Sequence, residues 1–310
     1  MSNLDKTAFG VMLDKVAIFG VGLIGGSFAL ALKQAGVVGQ IVGVGRTVAV
    51  LERARQLGII DQIATSVQDA VDNADLILIA APVAQTEAIL CSIAPYLQTG
   101  TVITDAGSTK TDVVAAARAA LGNKIGQFIP GHPIAGRESN GPDAAIAHLY
   151  VGKKLVLATL PENTAADIER VAAAWRACGA VIHQLSAADH DRVFAAVSHL
   201  PHLLSYALVD DIARKPHAAV LFEYAASGFR DFTRIAGSSP EMWRDISLAN
   251  QPALLAELDD YLAQLQRMRA HLASHDGAAL ETIYTNAQQA RHNWIRTIEA
   301  AEQQQLQGGD

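Results

Sequence analysis

Three glycines within six residues, "GVGLIG" at 20–25, constrain the fold of this chain more than any other feature. They follow "KVAIFG" (15–20), a nearly continuous apolar run of the kind a strand shows when both of its faces are buried in a parallel sheet. They precede "SFALALKQAG" (27–36), a helical pattern closed by Gly36. A strand that turns at once into a helix needs one glycine for the tight turn and another for close helix–strand packing. The glycine between them lets another molecule approach the backbone. The free N–H groups of the new helix favour an anion there. Gly20, Gly22 and Gly25, with Leu23 and Ile24 between them, are therefore the expected seat of a dinucleotide pyrophosphate.

The alternation continues along the first half. "QIVGVG" (40–45), "ADLILIAAP" (74–82), "TVITDAG" (101–107), "KLVLATL" (154–160) and "AVIHQL" (180–185) read as strands. Helical patterns separate them at 48–58, 86–97 and 164–178. This pattern predicts an α/β fold, a doubly wound Rossmann-type domain with a mostly parallel sheet, over 14–185. After about residue 186 the strand signals stop, and 188–214, 241–250, 252–274 and 279–302 all carry helical spacing. An all-helical second domain over 186–302 follows, and its wide apolar face is expected to supply a homodimer interface.

Composition excludes several functions. The chain has 310 residues, room for two domains, and a net charge of −7 with no basic run, which disfavours a nucleic-acid surface. Its two cysteines, Cys91 and Cys178, have neither disulfide-framework nor metal-ligand spacing, so no metal is expected and a reducing cytoplasm fits. The longest apolar run, Leu76 to Ala84, is too short to cross a bilayer.

The carboxylate expected about 20 residues beyond the glycine turn, to bond a ribose 2′-hydroxyl, is missing. Gly45 stands there, followed by Arg46 and Thr47. A guanidinium and a hydroxyl beside a small residue welcome a 2′-phosphate, so NADP is the expected cofactor, with NAD possible. Pro82, at the carboxyl end of the third strand, belongs to the same edge, where open α/β sheets bind their ligands. "DAGSTK" ends the fourth strand and places Ser108 and Lys110 at that edge as well. "GHPIAGRESNG" (131–141) lies in the next connection, and Pro133 keeps His132 extended, in a loop. An imidazole there suits a general base near neutral pH.

In order, GxGxxG, "DAGSTK", "GHPIAGRESNG", "SHLPHLLSYAL" and "FRDFTRIAGSSPEMWRDI" resemble the prephenate/arogenate dehydrogenase family of tyrosine biosynthesis, over roughly 14–300. The resemblance implies an NAD(P)-binding domain followed by a helical dimerisation domain, and oxidative decarboxylation of a small cyclohexadienol, prephenate or arogenate. It implies that His132 takes the proton of the C4 hydroxyl and that Ser108 helps to orient it. His202 is implied as a substrate-binding residue, with His199 on the same helical face. Arg234 is implied as the grip on a substrate carboxylate, with Asp231 able to orient it. Arg137 and Glu138 follow the His132 motif, where the former suits a keto acid and the latter an ammonium, or both form a solvated pair. Pro201 is expected to bend or break its helix. Two rival readings are a dehydrogenase of the β-hydroxyacid type, which would need a catalytic lysine on a helix of the second domain, and an NADP-binding regulator without turnover.

Overall fold

In the computed structural model, residues 12–137 and 139–307 are described. Six strands form a parallel sheet: β1 (Leu13–Phe19), β2 (Val38–Val44), β3 (Gln62–Ile63), β4 (Leu76–Ile79), β5 (Val102–Asp105) and β6 (Phe128–Ile129). Their order is β3-β2-β1-β4-β5-β6, the doubly wound arrangement with its switch point between β1 and β4. The apolar runs are continuous because helices cover both faces. Val16, Ile18, Leu76 and Leu78 enter one apolar cluster, and their alternates Ala17, Phe19, Ile77 and Ile79 enter the other.

The later strands depart from expectation. β8 (Lys154–Leu157) and β9 (Val181–Gln184) do not extend the parallel sheet. They pair with β7 (Gly131–Pro133) in a second, three-stranded sheet, where β7 runs antiparallel to β8 and β9 parallel to it. His132 therefore lies in a strand, opposite Val156, and not in a loop. Pro133 is compatible with this: it ends the short β7, where a ladder tolerates a missing donor.

Ser186 starts the helical part by accepting a hydrogen bond from the Asp189 N–H at 3.0 Å. One helix then runs over Ala187–Ala213, and Pro201 does not break it. A π-helical turn at Ala195–His199 precedes the proline, which sits in the first turn of the next α-helical stretch. The wider turn relieves the clash and the missing donor that a proline brings to an α-helix. By length and composition alone this helix could cross a membrane, since an 18-residue window of it has a mean hydropathy of 1.2. Its buried residues include His190, Asp191, His199 and Ser205.

The chain divides into two compact units, the first ending at Ala253 and the second starting at Leu254. The first includes the helices up to Pro240–Ala249. The second holds most of the helix Gln251–Ala273 and all of Gly277–Gln307.

The glycine turn links β1 to the helix Leu23–Ala35. Gly20 has φ of 99°, and a Cβ there would lie 2.5 Å from the Ala80 carbonyl oxygen. At Gly25 a Cβ would lie 2.2 Å from the Gly20 carbonyl oxygen and 2.8 Å from Ile18, so helix and strand are in direct contact. Gly22 is different, with no atom within 4 Å of its Cβ position. Gly25→Ala should therefore destabilise the fold by about 1–3 kcal/mol, through overpacking against backbone. Gly22→Ala should melt like the wild type. A thermal melt of both variants checks this, and equal midpoints would contradict the packing role of Gly25.

Candidate active site

Asp105 ends β5 and organises the carboxyl edge of the sheet. Its Oδ1 accepts from the Gly131 N–H at 2.9 Å, and its Oδ2 accepts from the Gly107 N–H at 2.8 Å. The same Oδ2 is ion-paired with Lys110 Nζ, and both side chains are buried, at 1% and 0% exposure. Lys110 is thus closed to any ligand at that edge, unlike the half-buried Ser108 two residues before it.

Holding Gly131 fixes the next residue, His132, whose ring is only partly exposed. His132 Nδ1 lies 2.8 Å from His190 Nε2, and His190 Nδ1 lies 2.8 Å from Asp191 Oδ1. Asp191 is itself held, accepting from the N–H groups of Lys110 and Thr111, each at 2.8 Å. Phe194 packs on both rings, with centroids 5.0 Å from His132 and 4.5 Å from His190. Asn250 closes the rear of the site. Its amide donates to the Asp191 carbonyl at 2.8 Å and lies 3.0 Å from His199 Nδ1.

His199 and His202 flank Trp243. The His202 ring stacks on the indole with centroids 3.5 Å apart, while His199 meets it edge-on at 6.1 Å. His202 Nδ1 donates to the Ser198 carbonyl at 2.8 Å, which leaves Nε2 of the neutral ring as its acceptor. Arg234 opens a short 3-10 turn, Arg234–Gly237, after the helix Ser227–Thr233. Two hydrogen bonds pin that segment to the long helix, from Ser205 to the Phe232 carbonyl and from Tyr206 to the Ser238 carbonyl. The exposed Arg234 guanidinium is near enough to act electrostatically on His202. Asp231 stands at the surface and its carboxylate is 4.0 Å from Arg230.

Arg46 and Thr47 are exposed just beyond the end of β2, and Thr47 occupies the cap position of the helix Val48–Gln56. Leu23 is buried, and the Ile24 carbonyl accepts from the Tyr150 hydroxyl at 2.6 Å. Pro82 is partly buried and opens the turn Val83–Gln85. Arg137 is exposed, and Glu138 lies outside the described residues.

Sequence reasoning missed His190, Asp191, Trp243 and Asn250. A signal existed: His190, Asp191, Phe194, Ala195 and His199 are linked by steps of three or four residues, as on one helix face, and all five are buried. Polar residues on such a stripe mark a buried polar site.

A doubly wound unit with a glycine cradle and an imidazole cluster on one sheet edge defines an NAD(P)-dependent dehydrogenase. Residues 28–184 match the family model of the prephenate dehydrogenase nucleotide-binding domain, and 186–301 match that of the prephenate dehydrogenase dimerization domain. The chain belongs to the prephenate dehydrogenase family, and its reaction is the NAD(P)-dependent oxidative decarboxylation of prephenate or arogenate. It is 38% identical to the cyclohexadienyl dehydrogenase of Zymomonas mobilis over 278 residues, covering 89% of this chain and 94% of that protein. It is 34% identical to the prephenate dehydrogenase of Bacillus subtilis, covering 90% and 76%. Its structure is similar to that of Aquifex aeolicus prephenate dehydrogenase in complex with hydroxyphenyl propionate and NAD+, with a TM-score of 0.85 and 33% identity over 92% of this chain and 99% of the other.

The four site histidines share one electrostatic property. Burial is the main cause that lowers the basicity of His132, His190, His199 and His202 below the ordinary imidazole value. His132 lies well below it, helped by the neighbouring His190, Lys110 and His199, and His199 is pushed down to about 4. The folded state therefore holds neutral rings where the unfolded chain, titrating near about 6.5, binds protons. Stability from this source is full above about pH 6.5 and is lost as pH falls towards the folded values. Urea midpoints taken from about pH 7.5 to about pH 5 should decline steadily, and a flat profile would contradict neutral burial of these rings.

Proposed function

We propose that His132 is the general base of the reaction, that Ser108 orients the reacting hydroxyl, and that His202 and Arg234 bind the substrate. Prephenate carries a ring carboxylate at C1 and a hydroxyl at C4. When C4 loses hydride and its hydroxyl loses a proton, the ring becomes a dienone. The C1–carboxylate bond then breaks, carbon dioxide leaves, and its electron pair aromatises the ring to a phenolate. The protonated base can return its proton to that oxygen, so protons balance over the cycle. The bound nicotinamide supplies the hydride acceptor. Aromatisation drives the reaction, and the protein's task is to align C4 and remove one proton.

The observation that carries this reading is a partly exposed imidazole, neutral at pH 7, held at the carboxyl edge that also carries the glycine cradle. A group already charged there could not act as a base. Arg234 supplies a guanidinium beside His202, suited to a substrate carboxylate. The open space over Gly22 suits a pyrophosphate. The finer cofactor choice proposed is NADP over NAD, because Gly45, Arg46 and Thr47 put a guanidinium and a hydroxyl where a carboxylate would repel a 2′-phosphate. The nucleotide-binding part is assigned to 14–185 and the helical substrate and dimerisation part to 186–302. On the helix Gln251–Ala273, Leu255, Leu262, Leu265 and Leu272 are exposed at near-heptad spacing, a seam suited to a second copy of this chain.

Reduced-nicotinamide absorbance, with prephenate and arogenate each tested against NAD+ and NADP+, reads the catalytic and cofactor assignments. His132→Ala should lower kcat by about 10²–10⁴-fold with little change in KM. Arg234→Ala should instead raise KM by roughly tenfold or more at similar kcat. A His132→Ala enzyme with wild-type turnover would remove the ring from the mechanism.

Arg46→Ala tests the cofactor choice separately. Losing a charge-assisted phosphate contact costs about 1.5–3 kcal/mol, or roughly ten- to a hundredfold in NADP+ affinity. Binding of NAD+ should be almost unchanged. Equal losses for both cofactors would contradict a 2′-phosphate contact.

A further inference from the structure

We propose that His190 and Asp191 are positioning residues that fix His132 in its Nδ1–H tautomer, so that the proton-accepting lone pair lies on Nε2, facing the substrate. The inference deepens the reading of His132 as the base and rests on it.

The polarity of the chain follows from its far end. Asp191 Oδ1 accepts from the Lys110 N–H and Oδ2 from the Thr111 N–H, each at 2.8 Å. Burial alone would raise the Asp191 carboxyl, but hydrogen bonds from His190, Thr111 and Lys110 outweigh it and hold the group below its usual value. Asp191 is therefore a carboxylate, which can only accept. His190 Nδ1, 2.8 Å from it, must donate. A neutral imidazole that donates from Nδ1 has a bare Nε2, which accepts. His132 Nδ1 lies 2.8 Å from that nitrogen and so must donate to it, leaving Nε2 of His132 bare.

The opposite polarity needs a doubly protonated His190. The groups facing the pair are the Lys110 ammonium, the neutral ring of His199, and the carboxylates of Asp105 and Asp191. Lys110 and Asp105 compensate one another in their own ion pair. His190 is fully buried between Phe194 and His132, where a second proton is disfavoured. An unconstrained imidazole favours the other tautomer, with its proton on Nε2, which could not accept from the substrate. The chain corrects that preference. Once His132 is protonated its Nδ1–H still points at His190, so no proton needs to move beyond His132.

The test combines imidazole nitrogen NMR with kinetics, on the full-length enzyme saturated with its oxidised dinucleotide. The His132 resonances are assigned by their loss in His132→Ala. Above its titration the wild-type ring should show a protonated Nδ1 and a bare Nε2. His190→Phe removes the acceptor. It should mix the tautomers and lower kcat by about ten- to a hundredfold, less than loss of the base itself, with KM and dinucleotide affinity nearly unchanged. His190→Gln can donate to Asp191 and accept from His132, so it should restore the Nδ1–H tautomer and much of the rate. A wild-type ring protonated on Nε2 would overturn the proposal, whatever the variants do. So would a folded His190→Phe enzyme with normal kcat. Normal turnover in His132→Ala is the separate result that would remove the base assignment underneath.

Discussion

The site depends on one buried ion pair, Lys110 with Asp105. Taking both charges from water costs several kcal/mol per ion, and their attraction offsets this only where other hydrogen bonds complete the geometry. Here they do. The Asp105 carboxylate also accepts from Gly107 and Gly131, so a single side chain joins the end of β5, the turn that follows it and the start of β7. That junction sets the backbone of His132 relative to the parallel sheet. The turn it shapes also presents the Lys110 and Thr111 N–H groups that hold Asp191. The pair thus fixes His132 from one side and its hydrogen-bonded partners from the other.

The long helix Ala187–Ala213 supplies the rest, and its irregularity is what makes it useful. A regular α-helix repeats its faces every 3.6 residues, so His190 and Asp191 in one half would set the direction of every later residue. The π turn at Ala195–His199 inserts a local change of phase. With it, the first half turns His190, Asp191 and Phe194 towards His132, and the second turns His199 and His202 towards Trp243. Pro201 suits this location because the wide turn has already given up the bonding pattern a proline would disrupt.

Much of this was legible in the sequence, for identifiable reasons. The structural reasons for Gly20 and Gly25, a tight turn and close helix–strand packing, were legible because the strand–turn–helix pattern imposes both, and a Cβ at either position would meet backbone. Strands β1, β2, β4 and β5 announced themselves by burial on both faces. By contrast, β3 and β6 have two residues each, too short for any periodicity to register. The apolar pattern of β8 and β9 says that they are strands but not which sheet they join. Pairing with β7 is a long-range choice, and β7 itself is three residues ending in proline. Asp191 and Asn250 were invisible for a related reason. An acid near a helix start and an asparagine at a helix end each have an ordinary local explanation, and only the fold brings the two together.

The arrangement also separates two electrostatic demands that conflict within one pocket. A general base must be neutral before the reaction, which burial among other neutral rings favours. A dianionic substrate and a phosphate-bearing cofactor call for fixed positive charge, which burial would make costly. Placing a guanidinium directly against His132 would lower its basicity further and weaken it as a base. Instead Lys110, the cation that does act on His132, is compensated by Asp105, while Arg46, proposed to meet the cofactor, stands exposed beyond the end of β2. Water screens an exposed guanidinium until a ligand arrives, and contact then removes that water and strengthens the attraction. On the proposed role of Arg46, its charge is felt by a bound anion more than by His132.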